Sequence, residues 1–164
     1  MTRAIRIREA ASGLDVRALL LEERAPANAA FLWRYCATPR LVPSIHAIWT
    51  GPEISCPVPP GHLADGDWPP LPQENATLHP QPGDVALAWV PARAWGGAPD
   101  PIFDIGLFYG PGARMLLPIG WLAVSVAAQV APQDREALAV ACARIRRSGA
   151  AEIVFSRDSG EAMA

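Results

Sequence analysis

Ala4-Ile5-Arg6-Ile7-Arg8-Glu9, then Ala11-Ser12-Gly13, then Val16, Ala18 and Leu20 is the stretch that decides how the whole chain is read. Apolar and charged residues alternate with a period of two, so successive side chains point to opposite faces of an extended strand. The Ala-Ser-Gly turn reverses the chain and the alternation resumes, which makes a hairpin with one dry and one wet face. Its arginines belong to the wet face rather than to a basic arm.

Working outward, Pro26 stands at the favoured first position of a helix. That helix carries Phe31, Leu32 and Tyr35 on one face and stops before Pro39. Ser44–Trp49 reads as a strand ended by Thr50-Gly51-Pro52. Residues 52–83 are so dense in proline and glycine that they read as one long loop, without helix or central strand. Strands resume at 85–90, 102–109, 115–117 and 122–130, and Trp95-Gly96-Gly97-Ala98-Pro99 forms a second loop. Pro132–Arg147 is the clearest helix. It has acids near its start, Arg144, Arg146 and Arg147 near its end, Gly149 as a left-handed cap, and a stripe of Leu138, Ala141, Cys142 and Ile145. A last strand runs over 153–155. About eight strands and two helices are best buried by closure into a barrel capped by the helices, a mainly β fold.

Composition narrows the chemistry. All 14 cations are arginine, which excludes Schiff-base catalysis and any phosphate loop that depends on lysine. A net charge of −2 with scattered cations gives no counterion-displacing stripe for nucleic acid. Cys36, Cys56 and Cys142 are odd in number and far apart, so inert reduced thiols and a cytoplasmic protein are expected, without a disulfide framework. His46, His62 and His79 lack metal-ligand spacing, so neither a metal nor a cofactor is expected. No run of residues is apolar and long enough to span a bilayer as a helix.

Several blocks carry a family resemblance. Leu21-Glu22-Glu23-Arg24-Ala25-Pro26-Ala27-Asn28-Ala29-Ala30-Phe31 is similar to the cyclophilin segment that ends the first hairpin and begins its helix, and Ile45–Gly51 resembles the strand that follows there. Glu74-Asn75-Ala76-Thr77, His79-Pro80 and Pro82-Gly83-Asp84 resemble the signature of DUF3830, a bacterial and archaeal family with a cyclophilin-like fold. Ile105–Gly110 and Gly149–Ile153 fit its later strands. The resemblance implies one cyclophilin-like barrel domain over residues 1–157 with a disordered tail at 158–164. It also shows departures. The arginine with which cyclophilins polarise the prolyl amide falls on Ala47, and the proline-pocket positions fall on Pro52 and Ser55, so prolyl isomerase activity is not expected. The family's Asn-His strand motif is absent from Gly120-Trp121-Leu122-Ala123.

The candidate catalytic residues are His46 and Glu74. His46 is either a hydrogen-bonded structural histidine or a general base titrating near neutrality. Glu74 with Asn75 is either a structural turn or the acid and orienting donor at a pocket rim. Arg114 is the cation best placed to clamp a ligand carboxylate, unless it is simply solvated or paired with Asp104. Trp49, Tyr109 and Trp95 are the aromatic candidates for a pocket wall or lid. The expected function is a small-molecule-binding barrel, a cofactor-independent enzyme or binding protein for a carboxylate-bearing metabolite. Cyclophilin-like barrels include opine-forming cyclases. The alternative is a non-catalytic, homo-oligomeric assembly module.

Overall fold

The computed structural model describes residues 2–64 and 68–160; part of the long loop (65–67) and of the tail (161–164) lies outside them. The opening hairpin is β1 (Ala4–Glu9) and β2 (Leu14–Leu20), with Ile5 opposite Ala18 and Ile7 opposite Val16. Helix α1 (Pro26–Tyr35) follows, then β3 (Arg40–His46), β4 (Glu53–Pro57), the two-residue β5 (Ala76–Thr77), β6 (Asp84–Val90) and β7 (Ile102–Phe108). A small hairpin, β8 (Leu116–Leu117) with β9 (Gly120–Trp121), precedes β10 (Val124–Val130), α2 (Arg135–Ser148) and β11 (Ala150–Arg157).

Eight strands run in the order β2-β1-β11-β3-β4-β7-β6-β10, all adjacent pairs antiparallel. Pairing of β10 with β2 through Ala128–Leu20 and Val130–Ala18 closes the barrel, and β5 adds to the free edge of β10. Closure leaves none of these eight strands as a sheet edge, although β3 and β4 pair only over Ile45 and His46.

The inward faces carry Ile5, Ile7, Val16, Ile54, Ile105, Leu107, Ile153 and Phe155, all at most 1% exposed. Burying each such side chain is worth about 1.5–3 kcal/mol. The α2 stripe of Leu138, Ala141, Cys142 and Ile145 is buried as expected, and Gly149 closes the helix at φ 83°.

Two strand assignments are corrected. The Pro-rich stretch does contain a central strand: β4 lies between β3 and β7. Its only internal proline, Pro57, is the last residue, where the ladder toward β3 has already ended. The strand read as 44–49 is instead Arg40–His46, so Trp49 lies in a turn. Pro43 is tolerated because β3 meets β4 only at Ile45 and His46, leaving one side of the strand unpaired at residue 43. The tail expected from residue 158 is anchored at its first residue, where Asp158 pairs with Arg17 and Arg6.

Candidate functional site

Alternation along β4, β6 and β7 sorts their side chains between two compartments. Ile54, Cys56, Val85, Leu87, Phe103, Ile105 and Leu107 enter the barrel core. Glu53, Ser55, Ala86, Ala88, Asp104, Gly106 and Phe108 take the other face. Over part of that face Met115, Ala113, Val124 and Val126 form a second apolar cluster. Beside this cluster, between the β3–β4 turn, the β6–β7 loop and the β8–β9 hairpin, lies a cavity of about 530 Å³. Its walls include Ile45, Ala47, Trp49, Val90, Trp95 and Leu122, and its polar groups are Thr50, Glu53, Ser55, Asp100 and Asp104. No arginine or histidine lines it among the described residues.

The floor is built from small residues. Ala86 faces Gly106 and Ala88 faces Asp104 across the β6–β7 ladder, while Ser55 faces Gly106 from β4. A Cβ at Gly106 would stand 2.5 Å from Glu53 Oε1 and 2.8 Å from the Phe108 ring. The absent methyl is therefore the space that the Glu53 carboxyl occupies. Glu53 is 3% exposed and accepts a hydrogen bond from the Thr50 hydroxyl. The Ser55 hydroxyl donates to Asp104 Oδ1 at 2.9 Å, and Asp104, half-buried, is reached from the cavity.

Neither carboxyl has a cationic partner among the described residues. Burial, then the charge of Asp104, pushes Glu53 up to about 8 against the restraint of the Thr50 hydrogen bond. Burial likewise raises Asp104, to about 6, partly offset by Ser55 and the Cys56 amide. Two carboxyls sharing an apolar site resist ionising together, so the pair keeps a proton at neutral pH. An apolar cavity with two electrostatically coupled carboxyls can bind a ligand cation, donate a hydrogen bond, or move a proton.

The residues singled out from sequence do not converge there. Glu74 accepts hydrogen bonds from the backbone of Ala27 (3.2 Å) and Asn28 (3.0 Å) and from the Asn28 amide (2.9 Å). Ala25 at the helix start offers no side-chain cap, so a carboxylate distant in sequence caps α1 instead. Burial alone would raise Glu74, but these bonds outweigh it and hold the carboxyl below its ordinary value. Asn75, at φ 47°, ties its turn to β10 through the Val126 carbonyl, 3.0 Å away.

Arg114 is exposed and does not line the cavity; its backbone N–H bonds the Thr50 carbonyl. The expected carboxylate clamp therefore has no cation there, and Asp104 pairs with Ser55 rather than Arg114. Trp49 and Trp95 do line the cavity. His46 and Tyr109 come together, Nε2 to Oη at 2.8 Å, but in a neighbouring groove. The thiols are buried, and loss of solvation pushes Cys36 and Cys142 up to about 12.

Sequence reading missed Glu53. The available signal was the alternation Glu53-Ile54-Ser55-Cys56, hidden among the prolines. Among the described residues no three His, Cys, Asp or Glu side chains cluster to hold a metal, and no helix is long and apolar enough to cross a membrane.

Fold and site together define a closed antiparallel barrel with an acid-floored cavity on its flank. The chain belongs to the family described as "Protein of unknown function (DUF3830)", which residues 7–157 match. No curated protein matches it. Among solved structures it is similar to McbB, determined in complex with tryptophan. That similarity has a TM-score of 0.68 at 21% identity, over 98% of this chain and 46% of that one. The chain thus spans about half the length of that protein, and at this identity the likeness is one of fold.

Proposed function

We propose that the flank cavity binds a small, largely apolar organic amine, and that the Glu53–Asp104 pair exchanges a proton with it in cofactor-independent acid–base chemistry. The observation that carries this reading is the carboxyl pair, Glu53 buried and Asp104 half-buried, on an apolar floor with no cation beside it among the described residues. A ligand ammonium would supply the missing counter-charge, and its arrival would expel the proton that the pair keeps. Trp49 and Trp95 provide aromatic walls for a flat ligand. That a protein of similar fold has been captured with tryptophan, an amino acid joining an indole ring to an ammonium group, is in keeping with this ligand class.

In this reading Glu53 takes the acid–base role expected of Glu74, and Asp104 is the more readily ionised partner that holds the amine. Ala47 leaves the cavity without the guanidinium that a prolyl amide would need. Calorimetric titration with tryptamine, against 3-ethylindole as the uncharged counterpart, tests the reading. Tryptamine should bind at least tenfold tighter, with proton release at pH 7, and Asp104→Asn should abolish that preference. Equal binding of the two compounds, or an Asp104→Asn variant indistinguishable from the parent, would refute it.

A further inference from the structure

At the barrel end, where the last turn of α2 meets the ends of β3 and β7, His46, Tyr109 and Arg146 converge on a groove of about 420 Å³. Gly51, Pro52 and Pro111 wall it on the side of the two loops. Ala47 and Ile48 separate it from the flank cavity, since both line the two spaces.

The hydrogen-bond directions follow from the partners. His46 Nδ1 lies 3.0 Å from the Ala47 carbonyl, which can only accept. Nδ1 therefore carries the proton, and in the neutral ring Nε2 accepts from the Tyr109 hydroxyl at 2.8 Å. Arg146 lines the same groove, and its charge favours the ionised phenol against the burial that raises Tyr109. Arg146 is exposed and, among the described residues, has no carboxylate partner. With Nδ1–H held by the Ala47 carbonyl and the phenol O–H by Nε2, the Arg146 guanidinium is the donor left at this opening without a carboxylate partner among the described residues.

We propose that this groove is a second binding site, which takes the carboxylate of a small organic acid between Arg146 and Tyr109, with His46 behind the phenol. A single guanidinium beside a phenol and an imidazole suits a planar monoanion, and the proline walls and Ile48 suit its hydrocarbon part. Binding is coupled to a proton. A carboxylate neutralises Arg146, which favours His46 as the imidazolium. Nε2–H then donates to the Tyr109 oxygen and frees the hydroxyl to turn toward the ligand. In the empty groove, burial and, secondarily, the Arg146 charge hold His46 below its ordinary value, against the opposing Ala47 hydrogen bond. His46, Tyr109 and Arg146 are the titratable groups among the described residues lining the groove, so the coupling resides in these three.

The experiment follows the His46 ring by NMR through a pH titration with and without acetate, with inorganic phosphate as the comparison anion. Saturating acetate should raise the His46 midpoint by about half a unit. Reciprocally, acetate should bind about threefold tighter at pH 5.5 than at pH 8. Arg146→Gln, at an exposed position, should cost at least tenfold in affinity and remove the shift. Tyr109→Phe should weaken binding but keep its pH dependence. Glu53→Gln, in the other cavity, should leave acetate binding unchanged, so this site and the amine cavity fail independently. A His46 midpoint insensitive to acetate, an equal shift in Arg146→Gln, tighter binding of phosphate than of acetate, or loss of acetate binding in Glu53→Gln would each overturn the assignment.

Discussion

Replacing Glu53 by glutamine tests the energetics of the carboxyl pair without relying on any ligand. Glutamine is isosteric and keeps an oxygen to accept the Thr50 hydroxyl, but it cannot ionise. In the parent protein the folded state holds the Glu53 proton up to about pH 8, while the unfolded chain releases it near 4.5. Between those values the unfolded state carries fewer protons, so stability falls as pH rises. The contribution is fully present below the unfolded value and is lost as pH rises through the folded one. At 1.36 kcal/mol per unit, the interval corresponds to about 4–5 kcal/mol if Glu53 titrated alone. That interval is an upper bound, because the protein relaxes and admits water around an ionised group, so Glu53→Gln should recover about 3 kcal/mol at pH 9.

For a chain of this length such a gain raises the melting temperature by about 6–12 °C. The assay is urea denaturation of parent and Glu53→Gln at intervals from pH 4.5 to pH 9. The two stability curves should meet near pH 4.5 and separate steadily above it, with the variant the more stable. Curves that stay parallel, or a variant less stable at pH 9, would refute the claim that Glu53 is held protonated in an apolar site.

Further outcomes follow from the same contacts. Gly106→Ala places a methyl against Glu53 Oε1 and the Phe108 ring. It should cost about 1–3 kcal/mol in chemical denaturation and weaken tryptamine binding by displacing the carboxyl. Glu74→Ala removes the cap of α1 and should lower stability by about 1–2 kcal/mol, while calorimetry shows ligand binding at the cavity unchanged. Trp95→Ala should weaken tryptamine several-fold and remove a ligand-dependent change in tryptophan fluorescence. A proline-containing tetrapeptide should isomerise at its uncatalysed rate in the presence of the protein, because Ala47 has no charge to offer the prolyl nitrogen.

Local pattern was enough to read the hairpin, the Pro26 helix and the α2 helix with its Gly149 cap, because each is governed by neighbours within a few residues. Period-two alternation, fixed φ at proline and the left-handed freedom of glycine act through the chain itself. The aromatic walls were partly legible: Trp95 lies in a loop whose glycines and prolines are plain in the sequence, whereas Trp49 was read as the end of a strand and lies in a turn.

The acid-floored cavity was not legible. Glu53 and Asp104 reach one cavity only because β4 pairs with β7, some fifty residues later, and Gly106 leaves room for one carboxyl solely in that register. Glu74 resembled a site residue because its polar block is distinctive, yet its partners are backbone donors of a helix nearly as distant. His46 and Tyr109 were marked separately from sequence, and Arg146 was read only as a helix-end cation. That the three face one groove depends on α2 closing the end of the barrel. The sequence by itself therefore determined the opening hairpin, the two helices, the closed mainly β barrel and the exclusion of lysine chemistry. Tertiary structure alone decided which carboxyl is desolvated and which is solvated by amides, because desolvation and charge proximity are set by non-local packing.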